Sequence, residues 1–427
     1  MISKLKNIVR GSIFYSIYKK TEAFLAVRYY GNPSKDLIVI WVTGTDGKST
    51  TCNLIHHILN NTLGKTALVT TVNMKIGDES IPNNTKLTSL PPFKLQQFLR
   101  DAVADDCKYA VIEVSSHGIE QHRISFMDFD LGLLTNISEE HLDYHKTLDD
   151  YANTKKKLFK AVLRNTEGER LAVFNKDCNY GKAWEEEFAF NKSEVFALMS
   201  LASISGKEVK ETKDGTEFNL HYLSESYPIK SKLLGFFNMY NVTAAITASK
   251  LLGVDLAEAI KVVQTFPWLD GRLEKFVDKR GVTYYVDFAH TPAALESVLR
   301  FLKKVKETGK IITVFGAPGN RDRKKRPIMG SKVELFSDYI ILTDDDPDTE
   351  DRNDIINEVR WWVRRKLWDR FWIQPERELA IELAVELAEP WDLVLLAGKG
   401  HEQVQITNMG KRKYSDKETL LQLIEIQ

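Results

Sequence analysis

Residues 37–60 read LIVIWVTGTDGKSTTCNLIHHILN, and the order of features in this stretch decides the fold class. Leu37–Val42 is an unbroken apolar run, which suits a strand buried on both faces rather than one with a wet side. Ser49–Asn60 then places Leu54, Ile55, Ile58 and Leu59 at helical spacing. Between them lies Gly44-Thr45-Asp46-Gly47-Lys48-Ser49-Thr50. Glycines let backbone N–H groups turn toward an anion, and the helix start adds its dipole. Lys48 is placed to reach β- and γ-phosphates and the Ser49 hydroxyl to bind Mg²⁺, as in Walker-type loops. Val42 stands where the full GxxxxGK[ST] pattern has its first glycine. Strand, loop and helix together predict nucleotide binding, but leave GTPase, kinase and ligase open.

The same alternation continues outward. Ala67–Val72, Tyr109–Val114, Leu131–Thr135 and Leu171–Phe174 read as strands with helical stretches between several of them, the signature of a doubly wound α/β domain. Ser193–Ser231 has short alternating runs and reads as a small β excursion, and helical patterning returns over Asn238–Gly253. Pro267–Gly271 reads as a hinge before a second α/β unit with strands Thr283–Phe288, Ile311–Phe315, Tyr339–Thr343 and Leu393–Ala397. Val359–Trp372, with Trp361, Trp368 and Trp372, reads as an amphipathic helix packed on that sheet. The division expected is 1–35, a basic helical segment; 36–268, a nucleotide-binding domain with a mostly parallel sheet; and 269–427, a Rossmann-like α/β domain.

Composition narrows the function classes. Lys plus Arg and Asp plus Glu both total 59, so the net charge is zero, whereas nucleic-acid binders usually carry a basic excess. Three scattered cysteines, Cys52, Cys107 and Cys178, argue against a disulfide framework or cysteine-rich zinc site and fit a reducing cytoplasm. The N-terminal stretch stops its apolar run at Lys19-Lys20 without a small-residue cleavage site, so no signal peptide is expected. Leu5, Ile8, Phe14, Ile17 and Phe24 among basic residues suit a helix packed on the following domain, with contact to a membrane surface the competing reading.

Polar groups appear where the buried runs end. A carboxylate within an apolar strand is costly unless it is paired or holds a cation. Glu113 therefore reads either as a Mg²⁺ ligand or as a strand-end acid in a salt bridge. His141, in isolation, fits a hydrogen-bonded structural histidine as well as a ligand.

Ten segments in order resemble the Mur ligase family, the ATP-dependent amide-forming enzymes of peptidoglycan precursor assembly. They are GTDGKST (44–50), EVSSHGIEQHR (113–123), NISEEHLDYH (136–145), YANTKKKLF (151–159), FNMYN (237–241), DGRLEKF (270–276), VDFAHTPAAL (286–295), FGAPGNRDRKKRPIMG (315–330), DDPD (345–348) and GKGHE (398–402). The SSHGxxQHR, AHTP and GKGHE elements look most like the MurE branch, which adds the third residue of the stem peptide. The resemblance implies roles: Lys48 and Ser49 on ATP phosphates and Mg²⁺, Glu113 on the same ion, and His141 on a second Mg²⁺. Lys155 matches a lysine that family members carry as a carbamate, although Lys156 and Lys157 beside it also suit a run of exposed helical lysines. Asn238, Asn241, Arg272, Asp287 and His290 would meet the nucleotide. Thr88, Ser89, Ser115, Gln121 and Arg123 would contact the nucleotide-sugar peptide, and Asp345, Asp346, Asp348, Gly398 and Glu402 the incoming amino acid. The implied reaction phosphorylates a carboxylate to an acyl phosphate, which an amine then attacks. A monomer without nucleic-acid partners is expected.

Two departures bear on substrates. Only 43 residues precede Gly44, and they read as a basic helix rather than the UDP-binding domain of family members. The uridine end is therefore expected to be held differently, or another carrier is used. Leu90-Pro91 also replaces part of the TTP element that follows Thr88-Ser89. Enzymes of the meso-diaminopimelate branch carry DNPR where this chain has Asp345-Asp346-Pro347-Asp348. An acid in place of that arginine removes a bidentate carboxylate partner and adds repulsion. With Asp346, Asp348 and Glu402 around the pocket, a basic side chain such as L-lysine is expected over meso-diaminopimelate. The competing readings are a folylpolyglutamate- or cyanophycin-type ligase, a pseudomurein-type ligase, a non-catalytic nucleotide-binding relative and a generic P-loop phosphotransferase. A non-catalytic relative would be expected to lose Lys48, Glu113, His141 or Lys155, and all four are present.

Overall fold

The computed structural model describes residues 13–83, 85, 87–140, 144–165 and 168–425. Eleven strands form the first sheet: β1 (Ile38–Thr43), β2 (Thr66–Val69), β3 (Asn73–Ile76), β4 (Glu79–Pro82), β5 (Tyr109–Glu113), β6 (Leu131–Leu134), β7 (Leu171–Asn175), β8 (Lys192–Ala197), β9 (Ile204–Thr212), β10 (Gly215–Tyr222) and β11 (Glu225–Ser231). Their spatial order is β11-β10-β9-β8-β7-β6-β1-β5-β2-β3-β4. The seven from β9 to β2 run parallel, and antiparallel pairs close both edges. The unbroken apolar runs have a direct cause. Ile40 and Val42 pack under helices Lys48–Thr62 and Phe236–Leu251, while Val39 and Trp41 face helices Pro92–Ala104 and Leu148–Val162. Both faces are covered, so both parities must be apolar. Ser193–Ser231 is not a separate excursion. β8 pairs in parallel with β7, and the segment extends the main sheet.

Six strands form the second sheet: β12 (Glu274–Val277), β13 (Thr283–Asp287), β14 (Ile311–Phe315), β15 (Tyr339–Leu342), β16 (Phe371–Ile373) and β17 (Leu393–Ala397), in the order β12-β13-β17-β14-β15-β16. All but β12 run parallel. The helix expected over Val359–Trp372 does not form. Helix Arg352–Arg360 stops there and β16 follows at Phe371. The reason is local. Trp368 and Arg370 adopt left-handed φ of 69° and 59°, which no helix tolerates, and the Arg365 guanidinium instead donates to the carbonyls of Glu334, Ser337 and Asp338.

One buried ion pair ties this domain together. Arg377 donates from Nε and Nη2 to both oxygens of Asp416, at 2.8 and 2.7 Å, with neither side chain exposed. The same guanidinium holds the carbonyls of Asp344 and Ala397, where β15 and β17 end. Removing one partner of a buried pair strands the other's charge, which costs about 3–5 kcal/mol. Asp416→Ala is expected to lower unfolding free energy by that order, read from the urea midpoint at unchanged slope.

The N-terminal helix Ile13–Tyr29 packs through Ala23, Ala26 and Val27, while Phe14, Ile17 and Tyr18 stay exposed. Leu5 and Ile8 lie outside the described residues. No helix among the described residues is long and apolar enough to cross a membrane.

Candidate active site

The loop after β1 is pressed against its neighbours, and this is why two of its residues are glycine. A Cβ on Gly44 would lie 1.9 Å from Thr135 Oγ1, and one on Gly47, at φ 80°, would lie 2.2 Å from Asn241 Oδ1. Asn136 receives the loop's N–H groups, with its carbonyl taking Thr45 N–H and its side-chain Oδ1 taking Asp46 N–H. The Thr135 hydroxyl donates to the Asp46 carbonyl. Lys48 Nζ curls back to the Thr45 carbonyl at 2.6 Å. Burial and Glu140 push the Asp46 carboxyl upward from its usual range.

Glu113 ends β5 almost fully buried. Its Oε2 accepts the Ser49 hydroxyl at 2.8 Å, the Thr71 N–H at 2.7 Å and the Thr71 hydroxyl at 3.0 Å. No cation pairs with it among the described residues, so the salt-bridge reading does not apply. A buried carboxylate beside a hydroxyl is an oxygen donor set that suits a hard divalent cation. His141 lies outside the described residues.

Lys155 is 1% exposed. Thr147 caps helix Leu148–Val162 by accepting the Asp150 N–H. From that start Tyr151, Lys155, Phe159 and Val162 share the inward face at i, i+4, i+8 and i+11. Lys156 and Lys157 point outward to Glu187 and Glu120. Lys155 Nζ donates to the Gly44 carbonyl at 2.7 Å and lies over the Tyr151 ring. Burial, reinforced by Lys48, holds its ammonium well below the usual lysine range.

Across the cleft, Asp287 accepts N–H bonds from Leu273 and Ala289. Arg272 stacks on Phe288 at 4.6 Å. His290 is drawn down to about 4 by burial and by Lys325. Asn238 and Asn241 are linked through Asn241 Nδ2 to Asn238 Oδ1 at 2.8 Å. Lys325, from the second domain, reaches Glu140 of the first at 3.5 Å. Lys48, Ser49, Glu113, Asn238, Asn241, Arg272, Asp287 and His290 border one cavity of about 770 Å³ between the two sheets, whereas Gly44, Lys155 and Lys325 do not line it; the volume is typical of cofactor sites. Arg321 and Thr71 border it too, and the sequence reading assigned them nothing.

The substrate-side residues form a connected set. Ser115 N–H donates to Ser89 Oγ, and Arg123 donates to the Ser89 carbonyl and to Gln121 Oε1. Of this group only Thr88 borders the cavity.

The expected acidic amino-acid pocket needs correction. Asp345, Asp346 and Glu402 do converge, with carboxylate oxygens within 4.8 Å of one another, and Gly398 lies against Asp345. Lys399, fully buried, sits among them. Its Nζ donates to Asp346 at 2.7 Å and to Glu402 at 2.5 Å. Burial opposes its charge, but Asp345, Glu402 and Asp346 outweigh that and keep it protonated. Two of the three acids counted around the pocket therefore share one lysine charge, which reduces the negative charge there without cancelling it. Among the described residues Asp348 has no cationic partner, and its carboxylate accepts from Asn320 Nδ2 at 3.1 Å. Arg352 is committed to Asp344 and Glu376.

The Mur ligase middle domain matches residues 42–249, and the Mur ligase glutamate ligase domain matches 271–400. A UDP-N-acetylmuramoyl-L-alanyl-D-glutamate–2,6-diaminopimelate ligase of Parabacteroides distasonis is 36% identical over 404 residues, covering 94% of this chain and 81% of the relative. The chain belongs to the Mur ligase family. Within that family it is an ATP-dependent ligase of the MurE type. The Geobacter metallireducens ligase of the same name is also 36% identical, over 92% of this chain and 79% of its own length. A solved structure of such a diaminopimelate ligase superposes with TM-score 0.64 at 30% identity, covering 97% of this chain and 82% of that one. A Mycobacterium tuberculosis folylpolyglutamate synthase, at TM-score 0.71 and 16% identity over 92% of this chain and 95% of its own, shares the fold.

Proposed function

We propose that this Mur ligase adds a diamino acid to a UDP-MurNAc-L-Ala-D-Glu-like precursor through an acyl phosphate. The observation that carries this reading is the buried Lys155 held behind the phosphate loop, together with the Ser49–Glu113 pair, at a cleft the second domain completes. The relatives' names supply the substrate class. Ser49 and Glu113, with His141, would hold Mg²⁺, which neutralises charge on transferring phosphoryl oxygens. Lys48 swings from the Thr45 carbonyl to the phosphates. Asp287, Arg272, Asn238, Asn241 and His290 would meet the nucleotide as the domains close. The precursor's carboxylate attacks the γ-phosphorus, ADP leaves, and the amine then displaces phosphate from the acyl carbon. No enzyme nucleophile is required, and positioning plus electrostatics carry the rate.

Carbamylation of Lys155 has a physical basis. Carbon dioxide reacts with a neutral amine, and burial beside Lys48 favours the neutral form. The carbamate then turns a buried cation into an anionic metal partner. The N-terminal helix, packed through Ala23, Ala26 and Val27, is read as not holding uridine, with membrane contact through the exposed Phe14, Ile17 and Tyr18 the competing reading.

For the amino acid, the relatives' names point to diaminopimelate, whereas Asp348 stands where that branch has arginine. An acid at position 348 favours an L-lysine-type amino acid. At about 4 Å and an effective dielectric near 20, one ammonium–carboxylate contact is about 4 kcal/mol before desolvation and screening. A quarter of that shifts preference about fivefold. Phosphate release from ATP with UDP-MurNAc-L-Ala-D-Glu and a panel of L-lysine, L-ornithine and meso-diaminopimelate tests both levels. Turnover with some diamino acid supports the ligase, and kcat/KM about fivefold higher for L-lysine supports the assignment. Asp348→Arg should then move selectivity toward meso-diaminopimelate. A wild-type preference for meso-diaminopimelate sinks the lysine assignment, and no phosphate release with any of the three sinks the ligase reading for this precursor.

A further inference from the structure

The parallel strands of the second sheet send their C-terminal ends to the cavity, so their N-terminal ends share one edge of the domain on the opposite side. That edge carries a large exposed aromatic set. Trp361 and Trp362 follow helix Arg352–Arg360, Trp368 precedes β16, and Trp391 precedes β17. Their exposures are 77% for Trp361, 51% for Trp362, 81% for Trp368 and 66% for Trp391. β16 and β17 are three strand steps apart, so Trp368 and Trp391 stand about 15 Å from each other along the edge. Soluble surfaces seldom gather large apolar groups in this way without a partner.

The segment presenting them is held in place. Glu334 accepts the N–H groups of Arg364 and Arg365, and Trp368 N–H donates to the Phe371 carbonyl. Arg365 is spent on anchoring, as described above. Arg360, Arg364, Lys366 and Arg370 are exposed, and none of them makes an ion pair with another described residue. Asp369 is the one acid between Arg360 and Arg370. A chain of zero net charge thus concentrates positive charge on the same loop as its exposed indoles.

We propose that this edge docks on an anionic lipid bilayer. Indole rings prefer the headgroup boundary, where the ring is desolvated and the N–H stays wet. Arginine and lysine beside them gain from the negative surface potential. The loop's charge complements such a surface, and a rigid row of indoles on one edge matches a plane. The catalytic cleft, at the other end of the strands, stays open while the edge is engaged.

The test is co-sedimentation of the full chain with vesicles of phosphatidylcholine alone and of phosphatidylcholine mixed with phosphatidylglycerol. Wild type should sediment with the mixed vesicles and not with the neutral ones, and salt should weaken it. Arg364→Ala with Lys366→Ala should weaken partitioning about twenty-fivefold, at about fivefold for each basic residue. Trp361→Ser with Trp368→Ser should weaken it roughly tenfold or more. Both variants should keep wild-type thermal stability and ligase kcat/KM. Helix Ile13–Tyr29 also exposes aromatic and basic groups, so binding that persists undiminished in both loop variants overturns the proposal. It is equally overturned if wild type ignores anionic vesicles, or if the loop variants instead lose self-association on a sizing column or binding to a single-stranded oligonucleotide.

Discussion

Lys155→Ala should abolish ligation while leaving the protein folded. Truncating Lys155 deletes the carbamate proposed to face the metal site, and loss of one such preorganised electrostatic partner costs about 10²–10³-fold in kcat. The variant also removes an awkward burial, because an unmodified ammonium at this position is destabilised by desolvation and by Lys48. Thermal stability should therefore hold or rise, which separates a lost catalytic group from a lost fold. The decisive signature is rescue. Formate or acetate fits the space left by the truncated side chain and returns an anion, so activity should recover in part and saturate with the added acid. Wild-type turnover in the variant, or a Lys155→Arg variant as active as wild type, would show that the carbamate assignment is wrong.

Lys48→Ala is the second large effect. Among the described residues Lys48 makes a single hydrogen bond, to the Thr45 carbonyl, so its removal leaves little unsatisfied and should barely move the melting temperature. Its expected work is on phosphoryl oxygens whose charge grows in the transition state, and the loss should appear as at least about a hundredfold in kcat with a smaller rise in KM for ATP. Near-normal kcat would place the phosphate contact elsewhere in the loop. Arginine at this position should not restore activity, since a planar guanidinium cannot reproduce the point charge at the end of a lysine stem.

The strands that could be read in advance were the doubly buried ones. β1, β14 and β17 are apolar at both parities because helices cover both faces, and such runs admit little else. Short edge strands were missed for the converse reason. β4 and the hairpin strand Gly410–Lys413 are exposed along their length, so no burial pattern marks them. The tryptophan spacing over Val359–Trp372 misled because aromatic periodicity presumes a buried face. Here Trp361 and Trp368 face water and left-handed residues interrupt the chain. The inward turn of Lys155 was legible in principle, since Tyr151, Phe159 and Val162 share its face, whereas Lys156 and Lys157 fall between.

The amino-acid sequence by itself determined the α/β architecture, the phosphate loop and the family, because these rest on local pattern: buried runs, a glycine-bearing turn at a helix start, and ten motifs in order. Tertiary structure alone decided which charges survive in the site. Ser49 meets Glu113 across 64 residues, and Lys155 meets Gly44 across 111. Lys399 neutralises Asp346 from 53 residues away. Local spacing carries no term for such pairings. They are set by which strand ends the parallel sheets bring side by side, and they change the local charge that a count of acids along the chain would give.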